Sequence, residues 1–219
     1  MGEPMTQILA FRSAVRRVAD VLLAAALLPL AVPLCIVLLI AIRSESRGSP
    51  LFVQSRIGKG ERPFKMLKLR TMRVNTEELP SHEVGDQQIT RVGRVLRKLK
   101  LDELPQLANV LAGSMSLIGP RPCLPQQHEL IEARRRLGLF ALRPGVTGPA
   151  QILRLDMSQP QRLAEVEADY FRSRSLGKDL LLVVHTLAGA GSGDAAASRS
   201  VQASSAPARS ANAGPEDGR

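Results

Sequence analysis

Aromatic side chains are scarce in this chain: 3% of its 219 residues, with no tryptophan and one tyrosine, Tyr170. Modules that stack nucleobases need exposed rings. The net charge of +10 is therefore not read as nucleic-acid binding; anionic lipid head groups or phosphorylated substrates remain as partners. Cysteine is equally sparse. Cys35 sits in an apolar run and Cys123 beside a Gly-Pro-Arg-Pro segment, so no disulfide framework is expected and a reducing compartment is the default. His82, His128 and His185 are widely separated and show no ligand spacing, which argues against a zinc centre. From Gly189 onward Val201 is the only sizeable apolar residue, so residues 189–219 cannot contribute to a core and are predicted to be a disordered Ala/Ser/Gly-rich tail.

What the chain does have is one long apolar run, Val21–Ile42. As a straight helix it would be roughly 33 Å long, enough to cross a bilayer. Pro29 and Pro33 interrupt it, each removing a backbone donor and disfavouring a straight helix. Both flanks are basic: Arg12, Arg16 and Arg17 before it, Arg43, Arg47, Lys59 and Arg62 after it. Cations belong on the cytoplasmic side, so a helix that enters the cytoplasmic leaflet, bends at a proline hinge (Pro29, Pro33) and returns fits better than a span. A kinked transmembrane helix stays open, because membrane helices tolerate proline. Residues 1–20 read as a basic amphipathic lead-in whose arginines can reach head-group phosphates.

Residues 43–188 read as one folded unit. Leu51–Arg56 and Phe64–Leu69 alternate as short strands around the turn Gly58-Lys-Gly-Glu-Arg-Pro63. In the second strand Leu67 and Leu69 face one way, Lys68 and Arg70 the other. Val74–Gln88 is polar and predicted to be a loop. A basic helix is expected over Thr90–Leu99, and Asp102 is expected to cap a helix over Glu103–Leu111. Gly113–Pro122 and Arg143–Gln151 are predicted loops; Gln126–Leu137, Gln161–Arg172 and Lys178–Leu187 are predicted helices. The last is apolar enough to lie on a bilayer. The fold class is α+β, mostly α: a re-entrant membrane helix, a small β-hairpin and a helical catalytic domain with interfacial amphipathic helices.

The adjacent acids Asp102 and Glu103 follow the cations Arg91, Arg94, Arg97, Lys98 and Lys100. Acids beside a basic cluster suit phosphate chemistry, in which one carboxylate attacks or holds a metal. Arg121, between Pro120 and Pro122, presents a planar fork on a restricted backbone and suits a pyrophosphate. Lys68 and Arg70 could hold a diphosphate from one strand face, and Arg143, opening a second Gly/Pro-rich loop that is a turn by default, is a further candidate for binding phosphate on the substrate side.

In order, Phe52-Val-Gln-Ser-Arg-Ile-Gly58, Lys68-Leu-Arg-Thr-Met72, Leu101-Asp-Glu-Leu-Pro-Gln-Leu107, Met115-Ser-Leu-Ile-Gly-Pro-Arg-Pro122 and Pro144-Gly-Val-Thr-Gly148 resemble the bacterial sugar transferases, small monotopic polyprenyl-phosphate phosphoglycosyl transferases. The resemblance runs from about Arg16 to Leu187. It implies transfer of a phosphosugar from a UDP-sugar to polyprenyl (undecaprenyl) phosphate, releasing UMP and initiating surface glycan assembly. Asp102 would attack the β-phosphorus and carry a covalent phosphosugar. Glu103 would help hold Mg²⁺, and Arg97 and Arg121 would bind phosphate. It also implies the cytoplasmic face of the bacterial inner membrane, and is compatible with a homodimer. The chain departs from the family pattern at Val32-Pro33, where Ser-Pro is usual, at Ser114, at Pro149 and at Leu153-Arg-Leu155, so the sugar is not carried over. The other reading is a non-catalytic, basic, membrane-tethered interaction protein, which accounts for the charge but not for Asp102-Glu103.

Overall fold

The computed structural model describes residues 3–74, 88–153, 155 and 157–187, with side chains from Ala14 onward. Most of the predicted loop 74–88 and the whole tail 189–219 lie outside the described residues. Among the described residues the chain is mostly helical, with two small two-stranded sheets and a long apolar N-terminal helix.

That helix, α1, covers Glu3–Glu45 without a break at either proline. The predicted boundary at residue 20 is therefore not marked in the secondary structure. Ala14–Glu45 is long and apolar enough to cross a membrane, with a mean hydropathy of 2.8 over its most apolar stretch. One stripe packs inward: Asp20, Ala24, Leu28, Ala31, Cys35, Leu38 and Ile42 are buried or half-buried at spacings of three and four. The opposite side, including Leu23, Leu27, Leu30, Val37 and Ile40, is exposed. Polar anchors sit at both ends. Asp20 accepts hydrogen bonds from Ser116 Oγ (2.7 Å) and the Leu117 N–H (3.1 Å), and Arg17 donates to the Leu111 carbonyl (3.2 Å). At the other end Glu45 accepts from the N–H groups of Arg91 and Val92 (2.7 and 2.8 Å).

Strands β1 (Leu51–Ile57) and β2 (Pro63–Leu69) form the predicted antiparallel hairpin, with Leu51 opposite Leu69 and Ile57 opposite Pro63. Its alternation sorts two cores. Met66 joins Ala24, Ala31, Leu107, Val110 and Met115, while Leu69, facing the other way, joins Ile42 and Leu96. Helix α2 (Arg91–Leu99) starts at Thr90, whose hydroxyl accepts from the Gly93 N–H (2.9 Å). Gly93 lets α2 approach the strand exit: a Cβ there would stand 2.1 Å from the Thr71 carbonyl oxygen.

Asp102 does not cap the next helix as expected. Lys100 turns left-handed (φ 56°), Leu101–Glu103 form a 3-10 turn, and α3 begins only at Gln106. Pro105 has no N–H to return to the Leu101 carbonyl, which interrupts the helical ladder at the junction. Asn109 in α3 (Gln106–Leu111) then binds the hairpin edge, accepting from the Leu67 N–H (2.9 Å) and donating to the Lys65 carbonyl (2.8 Å).

The two predicted loops each contain a strand. β3 (Ser116–Ile118) and β4 (Gly145–Thr147) pair in parallel, and Pro149–Ile152 forms the short helix α5. Three-residue strands built around glycine carry no periodic signal. Their closeness depends on glycine, because a Cβ on Gly145 would lie 2.0 Å from the Gly119 nitrogen. Helices α4 (His128–Arg136) and α6 (Pro160–Arg172) enclose the third core, around Leu130, Leu139 and Leu163. α7 (Leu176–Leu187) leaves Leu176, Leu180 and Val184 exposed along one side.

Candidate active site

The site forms where β2, the end of α2 and the 119–123 segment meet. Lys68 lies on the same face of β2 as Met66, and its Nζ reaches Glu103 Oε1 at 3.0 Å and Asp102 Oδ2 at 3.8 Å. The left-handed Lys100 ends α2 and turns the chain, so both acids point back toward the cations of α2 and β2. Their side chains are 12% and 16% exposed, accessible enough for a substrate but largely removed from water.

The two carboxyls respond differently. Burial is the largest influence on Asp102 and, with the neighbouring Glu103 charge, raises its pKa despite Lys68 and Arg97. Burial also opposes ionisation of Glu103, but Lys68, Arg121 and Lys100 outweigh it and hold this carboxyl low. Glu103 is thereby the stronger acid and Asp102 the more basic carboxylate, as suits a nucleophile.

Of the predicted residues, Lys68, Arg97, Arg121, Asp102 and Glu103 come together. Arg97 Nε donates to Thr71 Oγ1 (2.9 Å), which aims this arginine while its charge acts on Asp102. The structure places Arg70 elsewhere. It is buried under the end of α1, donating to the carbonyls of Arg47 and Ser46 and to Ser46 Oγ (2.9, 2.9 and 2.7 Å), so it ties α1 to the hairpin. Strand alternation predicts which side Arg70 leaves from but not that the chain turns back over it. Arg143 is also apart: its Nε donates to the Gly113 carbonyl (2.9 Å), beside a 480 Å³ basic cavity lined by Lys59, Arg62, Phe64 and Ser114. Two further contributors carry no distinct signal in the sequence: Lys100 stands inside a run of cations and Thr71 inside the Lys68–Met72 motif.

Among the described residues no third His, Cys, Asp or Glu joins the acid pair. The donor set does not make a protein-only metal cage. It does fit a hard divalent cation that takes one or two carboxylates and completes its shell with phosphate oxygens and water.

The profile of the bacterial sugar transferase family matches residues 11–191. The chain belongs to that family. It is 42% identical over 182 residues to a UDP-glucose:undecaprenyl-phosphate glucose-1-phosphate transferase of Caulobacter vibrioides, covering 78% of this chain and 68% of that protein. It is 38% identical over 183 residues to a UDP-N-acetylgalactosamine-undecaprenyl-phosphate N-acetylgalactosaminephosphotransferase of Aeromonas hydrophila, covering 79% of this chain but 43% of that longer protein. With the exopolysaccharide production protein ExoY of Rhizobium meliloti it shares 36% identity over 190 residues, covering 78% and 83%. The match of this sugar transferase to its family takes in most of α1, the acid pair and Arg121.

Proposed function

We propose that this sugar transferase moves a phosphosugar from a UDP-sugar to polyprenyl phosphate, undecaprenyl phosphate in the relatives' names, as the first step of a surface polysaccharide. The observation that carries this reading is the acid pair held among Lys68, Arg97, Lys100 and Arg121. An Asp102 oxygen attacks the β-phosphorus, the bond from that phosphorus to the bridging oxygen breaks, and UMP leaves with the electron pair. The aspartyl phosphosugar is then attacked by a polyprenyl phosphate oxygen, which restores the carboxylate. Arg97 and Arg121 hold phosphate oxygens, and Lys68 keeps the acids ionised. Glu103, with Asp102 beside it, would hold Mg²⁺, which when bound neutralises charge on the diphosphate. A tethered scaffold would have no use for two acids kept from water beside four cations.

α1 supports placement at one membrane face. Its flanks at Asp20 and Glu45 are about 37 Å apart along a straight helix, yet both bond to the same polar domain. A span across roughly 30 Å of hydrocarbon would draw one of those anchors through the bilayer. A re-entrant helix keeps both, gives the exposed leucines lipid to face, and lets the exposed side of α7 rest on the same, cytoplasmic surface.

The test is UMP release by detergent-solubilised protein given undecaprenyl phosphate, Mg²⁺ and a panel of UDP-sugars, with Asp102→Asn alongside. Release with one donor, abolished by the substitution, is the expected result. Full activity in Asp102→Asn would remove Asp102 from the chemistry.

A further inference from the structure

Arg134 of α4 and Glu167 of α6 form an ion pair in the interior, with side chains 2% and 1% exposed. It is bidentate: Arg134 Nε to Glu167 Oε2 at 2.9 Å and Nη2 to Oε1 at 2.7 Å. Neither residue hydrogen-bonds to the acid pair. Both grip the backbone of Arg121 instead. Glu167 Oε1 accepts from the Arg121 N–H (3.1 Å), and Arg134 Nη1 donates to the Arg121 carbonyl (2.7 Å).

We propose that the Arg134–Glu167 pair is a positioning device that fixes the backbone from which the Arg121 guanidinium acts at the site. The inference rests on the functional reading above, in which Arg121 binds phosphate. Stability alone does not call for a buried ion pair, since an apolar pair of similar volume serves a core as well or better. What this pair supplies is one acceptor and one donor, matched to the two peptide groups that flank a single residue. Proline on each side fixes the neighbouring φ angles, and the adjoining carbonyls are also held. Pro120 accepts from the Gly145 N–H (2.9 Å) and Pro122 from Arg56 Nη1 (3.0 Å). Rotating either peptide plane at Arg121 breaks a bond to a buried charge. The guanidinium therefore starts from a fixed Cα, and its charge reaches Glu103.

The experiment is a double-mutant cycle in the transferase assay with the donor the wild type accepts. Glu167→Gln and Arg134→Lys are each made alone and with Arg121→Ala. Arg134→Lys keeps the charge and most of the packing but offers one nitrogen where three now bond, so it serves if Glu167→Gln fails to fold. Each single variant is expected to lower kcat/KM roughly 10- to 100-fold, with the same division between kcat and KM as Arg121→Ala. In the Arg121→Ala background neither should cost anything more. Losses that add in full would mean a purely structural pair and overturn the proposal. If Arg121→Ala keeps wild-type activity, the fault lies in the role given to Arg121, and the positioning role falls with it.

Discussion

Replacing Lys68 with methionine removes the cation from between Asp102 and Glu103 while keeping most of the apolar stem. At an effective dielectric of about 20, Coulomb's law gives about 5.5 kcal/mol of attraction at 3.0 Å and about 4.4 kcal/mol at 3.8 Å, the separations of the Lys68 ammonium from the two acids. Desolvation of a largely buried ammonium cancels much of this. A charged hydrogen bond nets about 2 kcal/mol, so the variant should melt about 4–8 °C lower at neutral pH. The pH dependence has a definite sign. Glu103 is held below its ordinary range by Lys68 and its neighbours, so its share of the stability is full above that range and disappears as pH falls through the folded-state value. The melting gap between wild type and Lys68→Met should therefore close in acid. Activity moves the other way along the pH axis. Burial already raises Asp102, and Lys68 is the chief influence opposing it, so its loss should shift the acid limb of kcat/KM to higher pH. Melting curves and pH–rate profiles on purified protein measure both. An unmoved acid limb together with an unchanged melting temperature would refute the claim that Lys68 keeps the pair ionised.

Gly93→Ala gains about 1 kcal/mol in helix propensity but forces a methyl to 2.1 Å from the Thr71 backbone, which costs about 3 kcal/mol; calorimetry should show a net loss of about 2 kcal/mol. Ala14→Cys and Ser44→Cys, at exposed positions on either flank of α1 and in a Cys35→Ser background, should both react with an impermeant maleimide from the cytoplasmic side. Labelling of one from the opposite side would establish a span. Leu180→Asp, on the exposed side of α7, should weaken flotation with anionic liposomes while leaving the melting temperature within about 1 °C, as surface substitutions generally do.

The hairpin was legible because its residues alternate around a Gly/Pro-rich turn, and α2, α4, α6 and α7 because their stretches lie between polar or Gly/Pro-rich segments. The acid pair and Arg121 were legible because carboxylates set among cations and an arginine between prolines are uncommon and chemically pointed. Lys68 and Arg70 show where such reading stops. Strand alternation puts them on one face, yet one reaches the acids and the other is buried under the end of α1. That choice belongs to the turn that follows α1, 23 and 24 residues away in sequence. The β3–β4 pair escaped notice because three residues cannot establish a period.

By itself the sequence determined the apolar helix, the basic balance and the order of the motifs, all of which are local properties of residue type and spacing. Only the tertiary structure decided that Lys68 bridges the two acids, that both ends of α1 anchor to one domain, and that Arg134 and Glu167 hold Arg121. Each of these joins residues far apart in the chain, and their pairing is set by how helices and strands pack rather than by what any segment prefers alone.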